Sequence, residues 1–186
     1  GLWVMDRNTG VARKVGLVPG IESCSVFAIH EDSRHRMWIG TLGEGLFSLD
    51  VNTGEVSKAP SVASGLDYRE NKNIIPNNWI NDFSKGPGDI LFLATCDGLG
   101  AINLKTNDCL GMFNGKNRLF EGTNISTVCY TNDNRVWFGT NNGLYCLDLK
   151  TMKSKRYQRE QGLVGNMVQS IINDGHGSLW ISTNTS

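Results

Sequence analysis

Three observations on this sequence predict an all-β fold that is built from repeated four-stranded units. Short segments of alternating, β-branched or aromatic residues recur along the chain, and no segment of useful length has the 3.6-residue period of a helix. The 186 residues include 22 glycines and only four prolines, which indicates frequent tight turns. One phrase, an aromatic residue followed by a small residue, a threonine and then Gly-Leu or a close variant, returns at intervals near 45 residues.

The repeat is clearest in residues 136–152, VWFGTNNGLYCLDLKTM, which match residues 37–54, MWIGTLGEGLFSLDVNTG. Residues 90–107 are a weaker copy. Residues 179–186 correspond to the first half of a further copy, and residues 1–10 to the second half of another. The aromatic anchors of the copies lie 54, 45 and 43 residues apart, at Trp38, Phe92, Trp137 and Trp180.

Each unit is predicted to contain four antiparallel strands, which we name a to d in chain order. Strand a lies upstream, as in ISTVCYTND (125–133), strand b carries the aromatic anchor, strand c opens at a glycine, and strand d follows a turn. Four short strands per unit of about 45 residues describe a blade of a β-propeller. We predict one propeller segment over residues 1–186, with about four blade-equivalents at approximately 1–41, 42–95, 96–140 and 141–186.

The conspicuous repeat residues have scaffold roles in this fold. The strand-b aromatic is expected to fill the wedge between neighbouring blades, and the small residue two positions later lets the next sheet approach closely. The glycine that opens strand c permits a positive φ, and Asn141 and Asn142 tolerate the left-handed region. The aspartates of the c–d turns, Asp6, Asp50 and Asp148, are expected to accept hydrogen bonds from turn amides.

Composition excludes several classes of function. The formal net charge is zero, so the chain offers no electrostatic footprint for nucleic acid or an anionic membrane surface. No apolar run approaches the roughly 20 residues of a membrane span. The five cysteines are an odd number without a CxxC pair, which argues against a zinc site or a complete disulfide framework, and most should be small buried hydrophobes.

The repeat resembles the two-component regulator propeller repeat. The similarity rests on WIGT-x3-GLFSLD-x2-TG and on QGLVGNMVQSIINDGHGSLWIST (161–183), with GLVPGIESCSVFAIHED (16–32) as a looser match. That family forms seven-bladed propellers in the extracytoplasmic sensor region of hybrid two-component histidine kinases of Bacteroides-like bacteria. The resemblance therefore implies a fragment of a seven-bladed propeller, in the periplasmic part of an inner-membrane receptor that detects glycan fragments and transduces the signal. No kinase or response-regulator module appears in these residues.

The two ends of the repeat pattern allow two arrangements. The c–d pair at residues 1–15 could complete the blade that the a–b pair at residues 168–186 begins, which would close a four-bladed ring. Alternatively, the arc of blades stays open and exposes strand edges and apolar faces. Because exposed edges recruit partners, an open arc is expected to self-associate.

The longest connection between units is the candidate for a binding surface. Residues 61–79 (SVASGLDYRENKNIIPNNW) stretch the period to 54 residues, and the scaffold does not need an insertion of this size. If strand a runs up, b down, c up and d down, this d–a connection shares a face with the b–c turns. The candidate ligand-binding residues are Arg69, Asn73, Asn77, Trp79, Asp97, Asn141 and Asn142. The alternative is that Trp79 packs in the core and the polar residues are solvated.

Two other functions remain as alternatives. A protein-interaction propeller is one, and a streptogramin-lyase-like or lactonase-like enzyme is the less favoured. Such enzymes need a metal, or a catalytic histidine and acid, at the central channel. Strand a, which lines the channel, offers mainly Val26, Ala28, Asn81, Thr127, Val128, Gln169 and Ser170, and His30 is the only imidazole nearby. We therefore predict no catalytic residue, no metal site and no cofactor.

Overall fold

The structure, a computed structural model, describes residues 1–15, 24–59, 74–110 and 120–184. Regular structure in these residues is antiparallel β strand apart from one 3-10 turn at Arg159–Gln161, which confirms the predicted all-β class. The strands are β1 (Trp3–Met5), β2 (Ala12–Lys14), β3 (Val26–Glu31), β4 (Arg36–Thr41), β5 (Leu46–Asp50), β6 (Val56–Lys58), β7 (Ile80–Lys85), β8 (Ile90–Thr95), β9 (Gly98–Asn103), β10 (Ile125–Thr131), β11 (Arg135–Thr140), β12 (Gly143–Asp148), β13 (Ser154–Tyr157), β14 (Met167–Asn173) and β15 (Leu179–Asn184).

The described strands form five sheets in which neighbours in sequence are neighbours in space. β3 to β6 and β10 to β13 are complete four-stranded blades. β7 to β9 form a third blade, in which a single bridge between Ile102 and Cys109 stands where strand d is expected. β1–β2 is a c–d pair and β14–β15 an a–b pair. The four a strands pack in order, β3 beside β7, β7 beside β10 and β10 beside β14, so the sheets form the arc of a propeller.

Each strand-b aromatic packs against the blade that follows it. Trp38 is 1% exposed in a cluster with residues of β7 to β9, and Phe92 is 1% exposed in a cluster with residues of β10 to β12. Trp137 is partly buried against β14. Trp180 stands on the last described sheet and is 70% exposed. Burial of the anchor therefore depends on the next blade, which confirms its predicted role as the wedge between blades.

Two glycines show why the repeat needs small residues. A Cβ atom at Gly40 would lie 2.8 Å from Cγ2 of Ile80, and one at Gly139 would lie 2.5 Å from Cγ1 of Val168, both on the next strand a. A third glycine, Gly143, is required by backbone conformation as well as by space. It opens β12 with φ of 115°, and a Cβ atom there would lie 2.6 Å from the backbone oxygen of Tyr157. Positive φ in this turn falls on Gly143 alone, so the two asparagines before it do not use the left-handed region.

The c–d turns are fixed by a side-chain oxygen. Oδ1 of Asp148 accepts hydrogen bonds from the backbone N–H groups of Lys150 and Thr151, both at 2.8 Å. The equivalent residues Asp6, Asp50 and Asn103 accept the same pair of hydrogen bonds. The hydrogen bond from Thr151 is the largest of the effects that lower the pKa of Asp148. Asparagine at position 103 thus keeps the turn and loses only the charge.

The two end sheets do not pair with each other. β1–β2 and β14–β15 are separate sheets, so the described residues form an open arc rather than a closed four-bladed ring. Trp3, Ile172 and Trp180 are each more than 60% exposed on these sheets. No helix with the length and apolarity of a membrane span occurs in the part of the chain that the structure describes.

The five cysteines are free, and Cys24, Cys109 and Cys146 are buried, as expected of small core residues. Burial raises the pKa of Cys109 to about 12, which keeps this thiol protonated and unreactive.

Candidate ligand-binding site at the mouth of the channel

The d–a connections and the b–c turns meet on one face of the arc, which we call the mouth face. The backbone N–H groups of Gly43 and Gly45, in the β4–β5 turn, donate to the carbonyl of Asn78 at 3.1 and 3.0 Å. The N–H of Gly143, in the β11–β12 turn, donates to the carbonyl of Asn166 at 2.6 Å. These contacts confirm the deduction from strand parity, and they place the end of the 61–79 connection on this face.

A β-bulge interrupts every strand a at the mouth face. Register shifts occur after Val26, Ile80, Ile125 and Val168, where strand a meets strand b. In each case one residue is skipped by the ladder, and these bulge residues are Phe27, Asn81, Ser126 and Gln169. A bulge turns the extra side chain away from the regular alternation of the strand. The fold therefore sends one side chain from each a strand toward the mouth of the channel.

The four bulge residues line a common cavity of about 340 Å³. This volume lies in the range of small-ligand sites, about 300–1,000 Å³. The full lining, which we call the mouth cavity, is Phe27, Asn81, Asn124, Ser126, Asn141, Met167, Val168 and Gln169. No member of this set carries a formal charge, and four of the eight side chains end in an amide.

Two of the bulge residues also hold the blades together. Nδ2 of Asn81 donates to the carbonyl of Ile125 on β10 at 2.7 Å. Oγ of Ser126 donates to the carbonyl of Val168 on β14 at 2.6 Å. Both bonds join a bulge residue to the strand a of the next blade, so Asn81 and Ser126 have a scaffold role in addition to their place in the cavity.

Phe27, Gln169 and Asn141 have no such partner among the described residues. Phe27 is 58% exposed, although the flanking Val26 and Ala28 pack toward the sheet. Gln169 and Asn141 are exposed, and within the described part of the chain their amides are not engaged in hydrogen bonds. These three side chains are the ones that the cavity leaves available to a ligand.

The structure separates the predicted site residues. Asn141 lines the mouth cavity. Oδ1 of Asn142 instead accepts a hydrogen bond from Nε2 of Gln158 at 3.0 Å, which directs this amide toward strand d. Oδ1 of Asp97 accepts from the N–H of Gly122 at 2.6 Å, so this carboxylate fixes a neighbouring connection.

The remaining predicted residues belong to the long connection. Oδ1 of Asn77 accepts from the N–H of Trp79 at 2.7 Å, which fixes the start of the second blade. Trp79 is 49% exposed and bridges to Leu42, so the alternative that its side chain packs in the core is wrong. Arg69 and Asn73 lie outside the described residues.

The expected channel lining is partly wrong because the strands were read without bulges. Asn81 and Gln169 line the mouth cavity as expected. Ala28, Thr127 and Val128 are instead buried between sheets. The bulge residues Phe27 and Ser126 were missed. The signal was present in the sequence, because these positions vary in type while the residue before them is always Val or Ile.

A cleft of about 320 Å³ lies on the opposite face, between the β10–β11 and β14–β15 turns. Its charged members, Asp133 and Arg135, form an ion pair at 3.0 Å with each other. The cleft separates the a–b turns of two neighbouring sheets, and we therefore interpret it as a gap between blades.

His30 lies farther along β3 from the bulge. Its Nε2 atom is buried without a hydrogen-bond partner in the described structure. Burial, followed by the charge of Lys85, lowers the pKa of His30, so the neutral ring is favoured. Among the described residues, no group of three or more His, Cys, Asp or Glu side chains could hold a metal ion.

Comparison with known proteins agrees with the geometry. Three segments, residues 20–43, 120–142 and 162–185, match the model of the two component regulator propeller. Repeats of this type therefore occur in these three segments. The matched segments contain the a and b strands β3–β4, β10–β11 and β14–β15, including the bulges at Phe27, Ser126 and Gln169. No curated protein matches the chain.

Solved structures share the fold over most of the chain. The extracellular domain of a hybrid two component system of B. thetaiotaomicron, BT4673, has 24% identity and a TM-score of 0.66 over 89% of this chain and 20% of that one. That of BT3049 from the same organism has 18% identity and a TM-score of 0.70, over 93% and 23%. Virginiamycin B lyase from Staphylococcus aureus has 12% identity and a TM-score of 0.67, over 94% and 54%. The chain thus spans about a fifth of the extracellular domains that it resembles.

Proposed function

We propose that this chain is a non-catalytic segment of the extracytoplasmic sensor region of a hybrid two-component histidine kinase. The observation that carries the proposal is the match of three separate segments to the two component regulator propeller. The similarity in fold to extracellular domains of two hybrid two component systems supports it. In such a receptor the segment lies in the periplasm, and ligand binding is transduced across the inner membrane.

The proposed ligand is a glycan fragment. Aromatic rings stack on the apolar faces of sugars, and amide groups both donate to and accept from hydroxyl groups. The mouth cavity combines one exposed aromatic ring with several amides. The d–a connection that contains Asn77 and Trp79 ends on the same face and is able to extend this surface.

A ligand screen tests this function. Thermal unfolding of the chain is followed with a panel of purified oligosaccharides, each at millimolar concentration. A ligand present at 100 times its dissociation constant stabilises the folded state by about 2.7 kcal/mol, which shifts the unfolding midpoint by several degrees. A shift with at least one oligosaccharide is expected. The absence of any shift, together with binding to a protein partner, would contradict the glycan sensor and favour a protein-interaction propeller.

A lyase or lactonase activity is the less favoured alternative. Similarity to virginiamycin B lyase at 12% identity concerns the fold alone. Mass spectrometry of each oligosaccharide after incubation with the chain distinguishes a catalytic from a non-catalytic segment. A non-catalytic segment leaves every mass unchanged, whereas a new product that depends on the chain would contradict the proposal.

A further inference from the structure

Building on the proposed sensor function, we infer that the mouth cavity selects an uncharged oligosaccharide over an acidic one. Phe27 supplies the stacking surface, and the amides of Asn141 and Gln169 supply the hydrogen bonds.

The first step is the position of Phe27. A regular strand would alternate the side chains of β3, but the bulge between Val26 and Ala28 releases Phe27 from the ladder and leaves it 58% exposed. The equivalent residues on β7 and β10 are polar and hold the next blade. Phenylalanine cannot make that bond, so the scaffold does not explain this residue. A large ring at the edge of a polar cavity is suited to stack on the C–H face of a sugar.

The second step is the arrangement of amides. Asn141 lies on the β11–β12 turn and Gln169 on β14, and both line the cavity that Phe27 borders from β3. Each amide offers two donors and an acceptor, which matches hydroxyl groups that also donate and accept. The three side chains come from three sheets but line one cavity, so a single ligand in the cavity is able to contact all of them.

The third step is charge. The lining contains no cationic side chain that could pair with a uronate or a sulfate. The acid next to the bulge on β7, Asp82, is turned toward β10, where its Oδ2 accepts from Oγ1 of Thr127 at 2.7 Å and from the N–H of Val128 at 3.1 Å. An anion in this cavity would lose hydration without gaining an opposite charge. A neutral sugar has no such cost.

Isothermal titration of the chain tests the inference. The neutral probes are xylohexaose, mannohexaose and laminarihexaose, and the acidic probe is hexagalacturonate. Phe27→Ala, Asn141→Ala and Gln169→Ala are each expected to weaken the best neutral probe by about 5- to 10-fold, the effect of one lost hydrogen bond or stacking contact. Asn132→Ala is the matched control, because Asn132 is also exposed but lies on the opposite face. It should leave affinity unchanged.

A charge substitution adds a gain-of-function test. Gln169→Lys places a cation in the cavity and is expected to improve binding of hexagalacturonate relative to the unsubstituted chain. All substituted residues are exposed, and urea unfolding midpoints equal to that of the unsubstituted chain confirm that each variant is folded.

The outcomes separate this inference from the proposed function. If hexagalacturonate binds more tightly than every neutral probe, or if neutral binding survives all three alanine substitutions, the inference is overturned and the sensor function stands. If no oligosaccharide binds but an uncharged peptide does, both are overturned. The inference is supported if the neutral probes bind more tightly than hexagalacturonate, the three alanine substitutions weaken this binding, and Asn132→Ala does not.

Discussion

Replacement of Trp38 by alanine is predicted to remove a large part of the stability of this arc. The indole is 1% exposed and fills the wedge between β3–β6 and β7–β9. Its Nε1 donates to Oδ2 of Asp32 at 3.0 Å, and Asp32 also pairs with Arg36. The guanidinium of Arg36 in turn donates to the carbonyl of Leu104 and to Oδ1 of Asn107 on the next blade. Packing and polar contacts between two blades thus meet at this one side chain.

The expected cost is about 3–5 kcal/mol, the usual range for truncation of a buried aromatic residue to alanine. Trp38→Phe keeps most of the packing and loses one hydrogen bond, for about 1 kcal/mol. Trp180→Ala is the matched control at the same repeat position. Because Trp180 is 70% exposed, its removal should change stability by less than about 0.5 kcal/mol.

Urea unfolding followed by far-ultraviolet circular dichroism measures these differences, since that signal does not depend on the tryptophans alone. With a slope of about 2 kcal/mol/M, Trp38→Ala should lower the midpoint by roughly 1.5–2.5 M. The protein concentration is kept low enough that the midpoint of each variant does not depend on it. Equal midpoints for Trp38→Ala and Trp180→Ala would refute the assignment of the strand-b aromatic as a wedge.

Three further predictions follow from other contacts. Gly139→Ala places a Cβ 2.5 Å from Val168 and should cost about 1–3 kcal/mol in urea unfolding, whereas an unchanged midpoint would mean that the blades are not closely packed there. The pKa of Asp148 is lower in the folded state than its unfolded value of about 3.9, so the ionised carboxylate stabilises the fold above that pH. This stabilisation is lost as the pH falls through the folded pKa. Asp148→Asn should therefore reduce the loss of stability that occurs as the pH falls below about 4, and an unchanged dependence on pH would refute this. The open arc is expected to self-associate, and Trp180→Lys is expected to weaken this self-association because Trp180 is exposed on the last described sheet. A mass of 20.5 kDa for the unsubstituted chain in light scattering, which is the mass of the monomer, would contradict the prediction.

The repeat pattern was sufficient to predict the scaffold because each anchor performs one local task. Trp38 and Gly139 are required by the contact of one blade with the next, and this requirement recurs with the period of the sequence. Asp148 acts within its own turn, so its hydrogen bonds also follow from local sequence. Because each of these roles depends on few residues, it can be predicted from the sequence alone.

The candidate site was less predictable because it depends on register. A bulge adds one residue to one strand, and the alternation of apolar and polar residues within that strand does not show where this occurs. Only alignment of the four copies on the Val or Ile before each bulge shows it. Phe27 therefore had no assigned role in the sequence. The two adjacent asparagines show a similar limit, since Asn142 is engaged by Gln158, a residue 16 positions away, while Asn141 faces the cavity.

The central claim is that the bulges of the a strands build a ligand site at the mouth of the channel. The most direct measurement is an NMR titration of the side-chain N–H signals with the neutral hexaose that binds most tightly. The amide signals of Asn141 and Gln169 should shift with the same dissociation constant as the calorimetric titration, while that of Asn132 stays in place. Unshifted signals at Asn141 and Gln169, with a saturating shift at the indole N–H of Trp79 alone, would contradict the claim and move the site to the long connection.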